Sequence, residues 1–69
     1  MSKIGEQLKQ MREEQGLTVL QLSRYSGVNR TSIYKIESGE TSPSIHTLSA
    51  LARGLGKDLK IKFEDIDGF

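Results

Sequence analysis

Arg30, Thr31, Tyr34 and Lys35 stand close together in the stretch NRTSIYKIESG. On a helix of 3.6 residues per turn they share one side with Ser38, while Ile33, Ile36 and Glu37 take the other. Each of the four has chemistry suited to a duplex. An arginine fork matches O6 and N7 of guanine, and lysine reaches guanine or a phosphate. Threonine can hydrogen-bond a base edge or lay its methyl on that of thymine. Tyrosine can stack on a sugar or donate its hydroxyl to a phosphate. The same side chains would also serve as a plain solvated face, and Tyr34 could pack sideways. What separates the readings is whether the rest of the chain holds that helix rigidly.

Other candidate chemistry is thin. Ser42, Ser44 and His46 supply a hydroxyl and an imidazole, but no acid, oxyanion hole or pocket accompanies them, so no catalytic residue is expected. His46 is the only histidine and there is no cysteine, so neither a metal site nor a cofactor is expected.

The 69 residues make one small domain, with a limited core and a reason to associate with partners. The net charge is only +1, but its distribution is uneven. From Leu17 to Gly39 the charges are Arg24, Arg30 and Lys35 against Glu37. From Lys57 onward the acids Asp58, Glu64, Asp65 and Asp67 outnumber Lys57, Lys60 and Lys62. The middle of the chain is therefore the part an anion would feel. No apolar run approaches the roughly 20 residues of a membrane span, and MSKIGEQLKQ lacks the apolar region of a signal peptide.

Four helices are expected around the basic stretch. Ile4, Leu8, Met11 and Gln15 follow one helical face, with Ser2 as N-cap and Gly16 as terminator. Thr18 and Gln21 make a capping box for a second helix, on which Leu22, Ser23 and Ser26 face inward and which Gly27 stops. Asn29 caps a third, with Ile33 and Ile36 inward and Gly39 at its end. GETSPS is a loop, and Ser44 caps a fourth helix striped by Leu48, Leu51, Ala52 and Leu55, its end weakened by Gly54 and Gly56. Leu59-Lys-Ile-Lys-Phe-Glu then alternates apolar and charged, the pattern of a strand with one covered face. A lone strand needs an edge partner, and the same strand of a second copy is the simplest one.

The second and third helices, joined across Gly27 by about three residues, form a helix-turn-helix signature. The stretches IGEQLKQMREEQGLT and LSRYSGVNRTSIYKIESGETSPSIHTLSALARGLG resemble the Cro/C1-type (XRE family) helix-turn-helix domain. The likeness runs from Ile4 to Gly56 and is carried by Arg12, Gly16-Leu17, Leu22, Gly27-Val28, Ile33, Ile36-Glu37, Gly39, Pro43 and Leu48 at these spacings. It implies a structural ion pair between Arg12 and Glu37. It places Arg30, Thr31 and Lys35, with Tyr34 beside them, as base-contacting residues. Phosphate contacts are expected from Thr18, Arg24, Asn29, Ser38, Thr41, Ser42 and Ser44, several of them at helix N-termini, where free N–H groups attract anions.

There are departures from the family pattern. Val19 and Leu20 replace polar residues, so Val19 is not expected to touch DNA and Leu20 marks a possible protein contact. Ser23 and Ser26 stand at alanine-type positions. The usual fifth helix is replaced by KDLKIKFEDI, which resembles the tails of HipB- and HigA-like antitoxins. Phe69 has no assigned role.

The expectation is thus an all-α, four-helix, lambda-repressor-like domain over residues 1–56, followed by a tail, 57–69, with a short β-strand. That tail would pair across a homodimer through Leu59, Ile61 and Phe63. The expected function is sequence-specific binding of double-stranded DNA at a palindromic operator, as a repressor in the cytoplasm of a bacterium or in a phage context, associated with the nucleoid. It would be the antitoxin of a type II toxin–antitoxin module with a cognate toxin as partner, or a phage-type or controller repressor without one.

Overall fold

A computed structural model describes residues 3–60. It contains α1 (Lys3–Glu14), α2 (Val19–Ser26), α3 (Arg30–Glu37) and α4 (Ile45–Gly54). α2 packs on α4 and α3, and α1 packs on α3. Leu8, Val19, Leu22, Ile33, Ile36, Leu51 and Leu55 form the buried core, with Met11, Leu17 and Val28 packed around it. Every helix contributes to that core, so none can shift without opening apolar surface to water.

Local signals set the helix ends. At the end of α1, Gly16 takes φ +68; its N–H donates to Glu13 O and that of Leu17 to Arg12 O, which satisfies two final-turn carbonyls. Thr18 then caps α2 in the expected box: Gln21 N–H donates to Thr18 Oγ1 at 3.1 Å, and Thr18 N–H to Gln21 Oε1 at 2.9 Å. Ser44 caps α4 by accepting from Thr47 N–H at 3.1 Å. The proposed cap Ser2 lies outside the described residues.

Tertiary packing revises several expectations. Val19, in a place the family usually gives to a polar residue, is core, only 6% exposed. Ile4 is half out of the core despite its position on the apolar face of α1. Gln15 belongs to that face as a donor, its Nε2 reaching Leu55 O at 2.9 Å and tying the end of α1 to the end of α4. Gly54 is the last residue of α4, so the helix ends at the expected place. An added Cβ there would sit 2.8 Å from Ser26 Cβ, and its absence lets α2 approach closely.

The tail expectation is only partly within view. Residues 57–60 carry no regular structure, and no strand occurs among the described residues. Leu59, expected on a strand, sits half-buried on irregular backbone. The remainder of that expectation, with Ile61 and Phe63, lies outside the described residues, as does Phe69. A strand gains ladder bonds only from a neighbour, and no second strand is present among the described residues to supply one.

Gly5 marks the tightest helix contact: a Cβ there would collide with the carbonyl oxygen of Ile36, and backbone cannot rotate away as a side chain can. Gly5→Ala should therefore cost about 2–3 kcal/mol through overpacking, the upper part of the usual range because the obstacle is backbone, and stay destabilising after a helix-propensity gain of about 1 kcal/mol. Thermal melting checks this, since each net kcal/mol lost lowers the midpoint by roughly 4–8 °C in a domain of this size. A midpoint equal to or above that of the parent chain refutes the close approach.

Candidate nucleic-acid interface

α3 turns its two isoleucines inward, Ile33 and Ile36 being almost fully buried. Arg30, Thr31, Tyr34, Lys35 and Ser38 are all exposed, Tyr34 to 60%. They cover roughly 140° of the helix circumference. The four residues expected to meet bases thus share one open face, with Arg30 on its first turn.

Both ends of the rod are fastened. At its start Asn29 Oδ1 accepts from Thr31 N–H at 2.7 Å, the N-cap bond that satisfies a donor otherwise left open. The turn before it rests on two serines. Ser23 Oγ donates to Val28 O at 2.6 Å, and Ser26 Oγ accepts from Val28 N–H at 3.2 Å. Gly27, at φ +77, provides the left-handed residue that closes α2, its N–H donating to Ser23 O at 2.8 Å. At the far end Lys35 O accepts from Ser38 Oγ at 3.0 Å, Glu40 N–H at 2.9 Å and Thr41 N–H at 3.2 Å, tying the following loop to the helix.

The strongest fastening is ionic. Arg12 Nε donates to Glu37 Oε2 at 2.8 Å and Nη2 to Oε1 at 2.9 Å, a two-pronged bond from α1 to the last residue of α3. Arg12 Nη1 also donates to Leu17 O at 2.8 Å, so one side chain joins α1, α3 and the turn into α2. The side chains are 12% and 7% exposed. The hydrogen bond to Glu37 raises the pKa of Arg12 above its usual value, with the glutamate charge adding to it and burial opposing it.

This pairing also shapes the field around α3. Glu37 is the only acid between Leu17 and Gly39 and spends its charge inward on Arg12. Arg24, Arg30 and Lys35 remain exposed on that stretch, with Glu40 the nearest acid after it. An anionic duplex would meet mostly positive charge there.

The residues expected at phosphates are differently placed. Thr18, Arg24, Thr41 and Ser42 are exposed. Thr18 Oγ1 accepts its capping bond and keeps its own proton to donate. Asn29 uses its oxygen as a cap and keeps its amide N–H groups. Ser38 and Ser44 are more committed, since their hydroxyls donate to Lys35 O and to Thr47 Oγ1 at 3.0 Å each. His46 is exposed, and no group of three potential metal ligands occurs among the described residues. The roles of Ser23, Ser26 and the Lys35 carbonyl were missed by sequence reasoning. Serines close to a glycine turn were a usable signal, because such hydroxyls bond nearby backbone.

The profile of the family described as Helix-turn-helix matches residues 8–61 of the chain. The chain belongs to the helix-turn-helix family, in its Cro/C1 (XRE) branch. Among its relatives is the HTH-type transcriptional repressor RghR of Bacillus subtilis (strain 168), 43% identical over 67 residues, covering 96% of this chain and 47% of that protein. The immunity repressor protein of Bacillus phage phi105 is 36% identical over 53 residues, covering 77% of this chain and 37% of the repressor. An uncharacterized HTH-type transcriptional regulator of Methanothermobacter thermautotrophicus is 37% identical over 51 residues, 74% of each chain. The chain spans about half the length of the Bacillus subtilis relatives it matches. Its helix-turn-helix members are DNA-binding transcription regulators. No helix among the described residues is long and apolar enough to cross a membrane.

Removing one member of the ion pair strands the other in a site with little water. Arg12→Ala should cost about 3 kcal/mol, the low end for a buried pair because part of the guanidinium still reaches solvent. A raised folded pKa means that Arg12 contributes fully at any pH below the usual arginine range and loses its contribution only as pH rises beyond the still higher folded value. The stability gap between parent and Arg12→Ala should accordingly stay level from roughly pH 6 to pH 10. Denaturant unfolding across that range checks it; a gap under about 1 kcal/mol would show the pair behaving as an ordinary surface contact.

Proposed function

We propose that the chain binds duplex DNA sequence-specifically and acts as a transcriptional repressor, with α3 lying in the major groove. The observation that carries this is the open face of Arg30, Thr31, Tyr34 and Lys35 on a rod fastened at both ends. Two-pronged base readout requires the backbone at a set depth and tilt, and those bonds supply the stiffness. In this reading Arg30, Thr31 and Lys35 meet base edges, with Tyr34 beside them. Thr18, Arg24, Asn29, Thr41 and Ser42 meet phosphates and set the register. Ser38 and Ser44 would join them only by giving up their present hydrogen bonds.

The chain would work as a homodimer on a palindromic operator, two α3 helices lying about 34 Å apart, one turn of DNA. The tail from Lys57 onward would supply part of the dimer contact by backbone edge pairing of the stretch that carries Leu59, Ile61 and Phe63. Relatives named as repressors, one of them a phage immunity repressor, support the repressor reading, and a phage-type or controller repressor acting without a toxin is the alternative to an antitoxin. One observation favours the antitoxin reading: Leu20 is 40% exposed on α2, an apolar residue in a place for protein contact. Co-purification with the product of an adjacent gene distinguishes the two, and Leu20→Lys should abolish such a complex while leaving DNA binding intact.

Arg30→Ala should weaken binding to the chain's own promoter by about 1–3 kcal/mol and relax preference at one base pair. Titration against promoter and scrambled duplexes checks this; equal losses on both make Arg30 a phosphate contact. If the dimer neutralises about eight phosphates, log affinity should fall against log salt with a slope near −7. A chain whose α3 amides stay unmoved when promoter duplex is added at low salt does not read DNA with that helix.

A further inference from the structure

Between α1 and α4 runs a groove of about 470 Å³ to which neither α2 nor α3 contributes. Ile4, Met11, Ile45 and Leu48 line it, with Leu51 and Leu55 of the core below. Ile45 is 66% exposed and Ile4 43%. Large aliphatic side chains left in water on neighbouring walls call for a cover.

The chain's own path points to that cover. After α4, Gly56 N–H donates to Arg53 O and Lys57 N–H to Ala52 O, which reverses the backbone at the helix end. Lys57, Asp58 and Leu59 then line the groove themselves, and Leu59 is half-buried there. The sequence continues Lys60-Ile61-Lys62-Phe63. In extended backbone alternate residues share a side at a spacing of about 7 Å per pair. Ile61 and Phe63 would then fall on the side Leu59 already turns to the groove, about 7 and 13 Å further on, while Lys60 and Lys62 point to water.

We propose that the groove between α1 and α4 is the seat of Ile61 and Phe63 of the same chain. Tethering favours this occupant over a free one. A segment joined to the groove wall at Leu59 is present there at an effective concentration of about a millimolar or more, far above a second molecule in dilute solution. Such a segment lays one face on its own core and keeps its backbone edges free, so edge pairing with a second copy remains open to it. The face of α3 is untouched.

Nuclear Overhauser spectra of the full chain, with methyl-labelled isoleucine and leucine, test the seat directly. Cross-peaks are expected from the Phe63 ring to methyls of Ile45 and Leu48, with Phe69→Leu separating the two phenylalanines. In a mixture of methyl-labelled, ring-deuterated copies and unlabelled copies those peaks should vanish. Their persistence would assign the groove to a second copy and overturn the proposal, as would their absence from the uniform sample. Phe63→Ala should also lower the melting midpoint by roughly 5–10 °C, independently of protein concentration. An unchanged midpoint refutes the seat. None of these readouts involves DNA, so the reading of α3 can fail without affecting this result, and the reverse.

Discussion

An eight-residue helix has almost no stability of its own, because nucleation consumes most of what its few internal bonds return. α3 exists because other parts of the molecule hold it, and the fork from Arg12 to Glu37 is the most demanding of those holds. It reaches across 25 positions of sequence to the last residue of the helix. With its third donor Arg12 also grips Leu17 O, so the orientation of α3 relative to both α1 and the start of α2 depends on one guanidinium. Lysine could not substitute, since a point charge lacks the planar fork that sets angle as well as distance.

The ion pair is surrounded by devices that do the same work at shorter range. Gly5 lets α1 lie against the backbone of Ile36, and Gly54 lets α4 lie against Ser26. Close approach multiplies weak dispersion contacts, which is how the small core, with seven buried side chains among the described residues, can hold the helices together. Ser23 and Ser26 bond the peptide groups of Val28, immediately before the Asn29 cap. The turn between α2 and α3 is thereby set by side-chain bonds as well as by glycine. Stiffness at this point matters because a small rotation of the turn is magnified along the helix that follows.

Stability and recognition meet in the charge of Glu37. Drawn inward, it braces α3 and at the same time leaves the outer face of that helix to Arg30 and Lys35. The formal charge of the chain, +1, conceals this arrangement. What a polyanion encounters is the local exposed charge, and burial of one carboxylate changes that more than the net figure suggests.

The sequence by itself determined the helices and their ends. Thr18 with Gln21, Asn29 and Ser44 cap where their side chains predict, and Gly16 and Gly27 terminate where a left-handed residue is required, because these are interactions among neighbours a few residues apart. It also determined the opposed faces of α3, since periodicity alone separates Ile33 and Ile36 from Arg30 and Lys35. The Arg12–Glu37 pair was legible only through family resemblance; nothing in a local reading joins residues so far apart. Tertiary structure alone decided that Val19 is core, that Ile4 and Ile45 stay exposed on a groove, that Gly54 is a contact and that Ser23 and Ser26 bind the turn. Each of those depends on which surface arrives opposite the residue, and that is a property of how the helices pack, which no local pattern encodes.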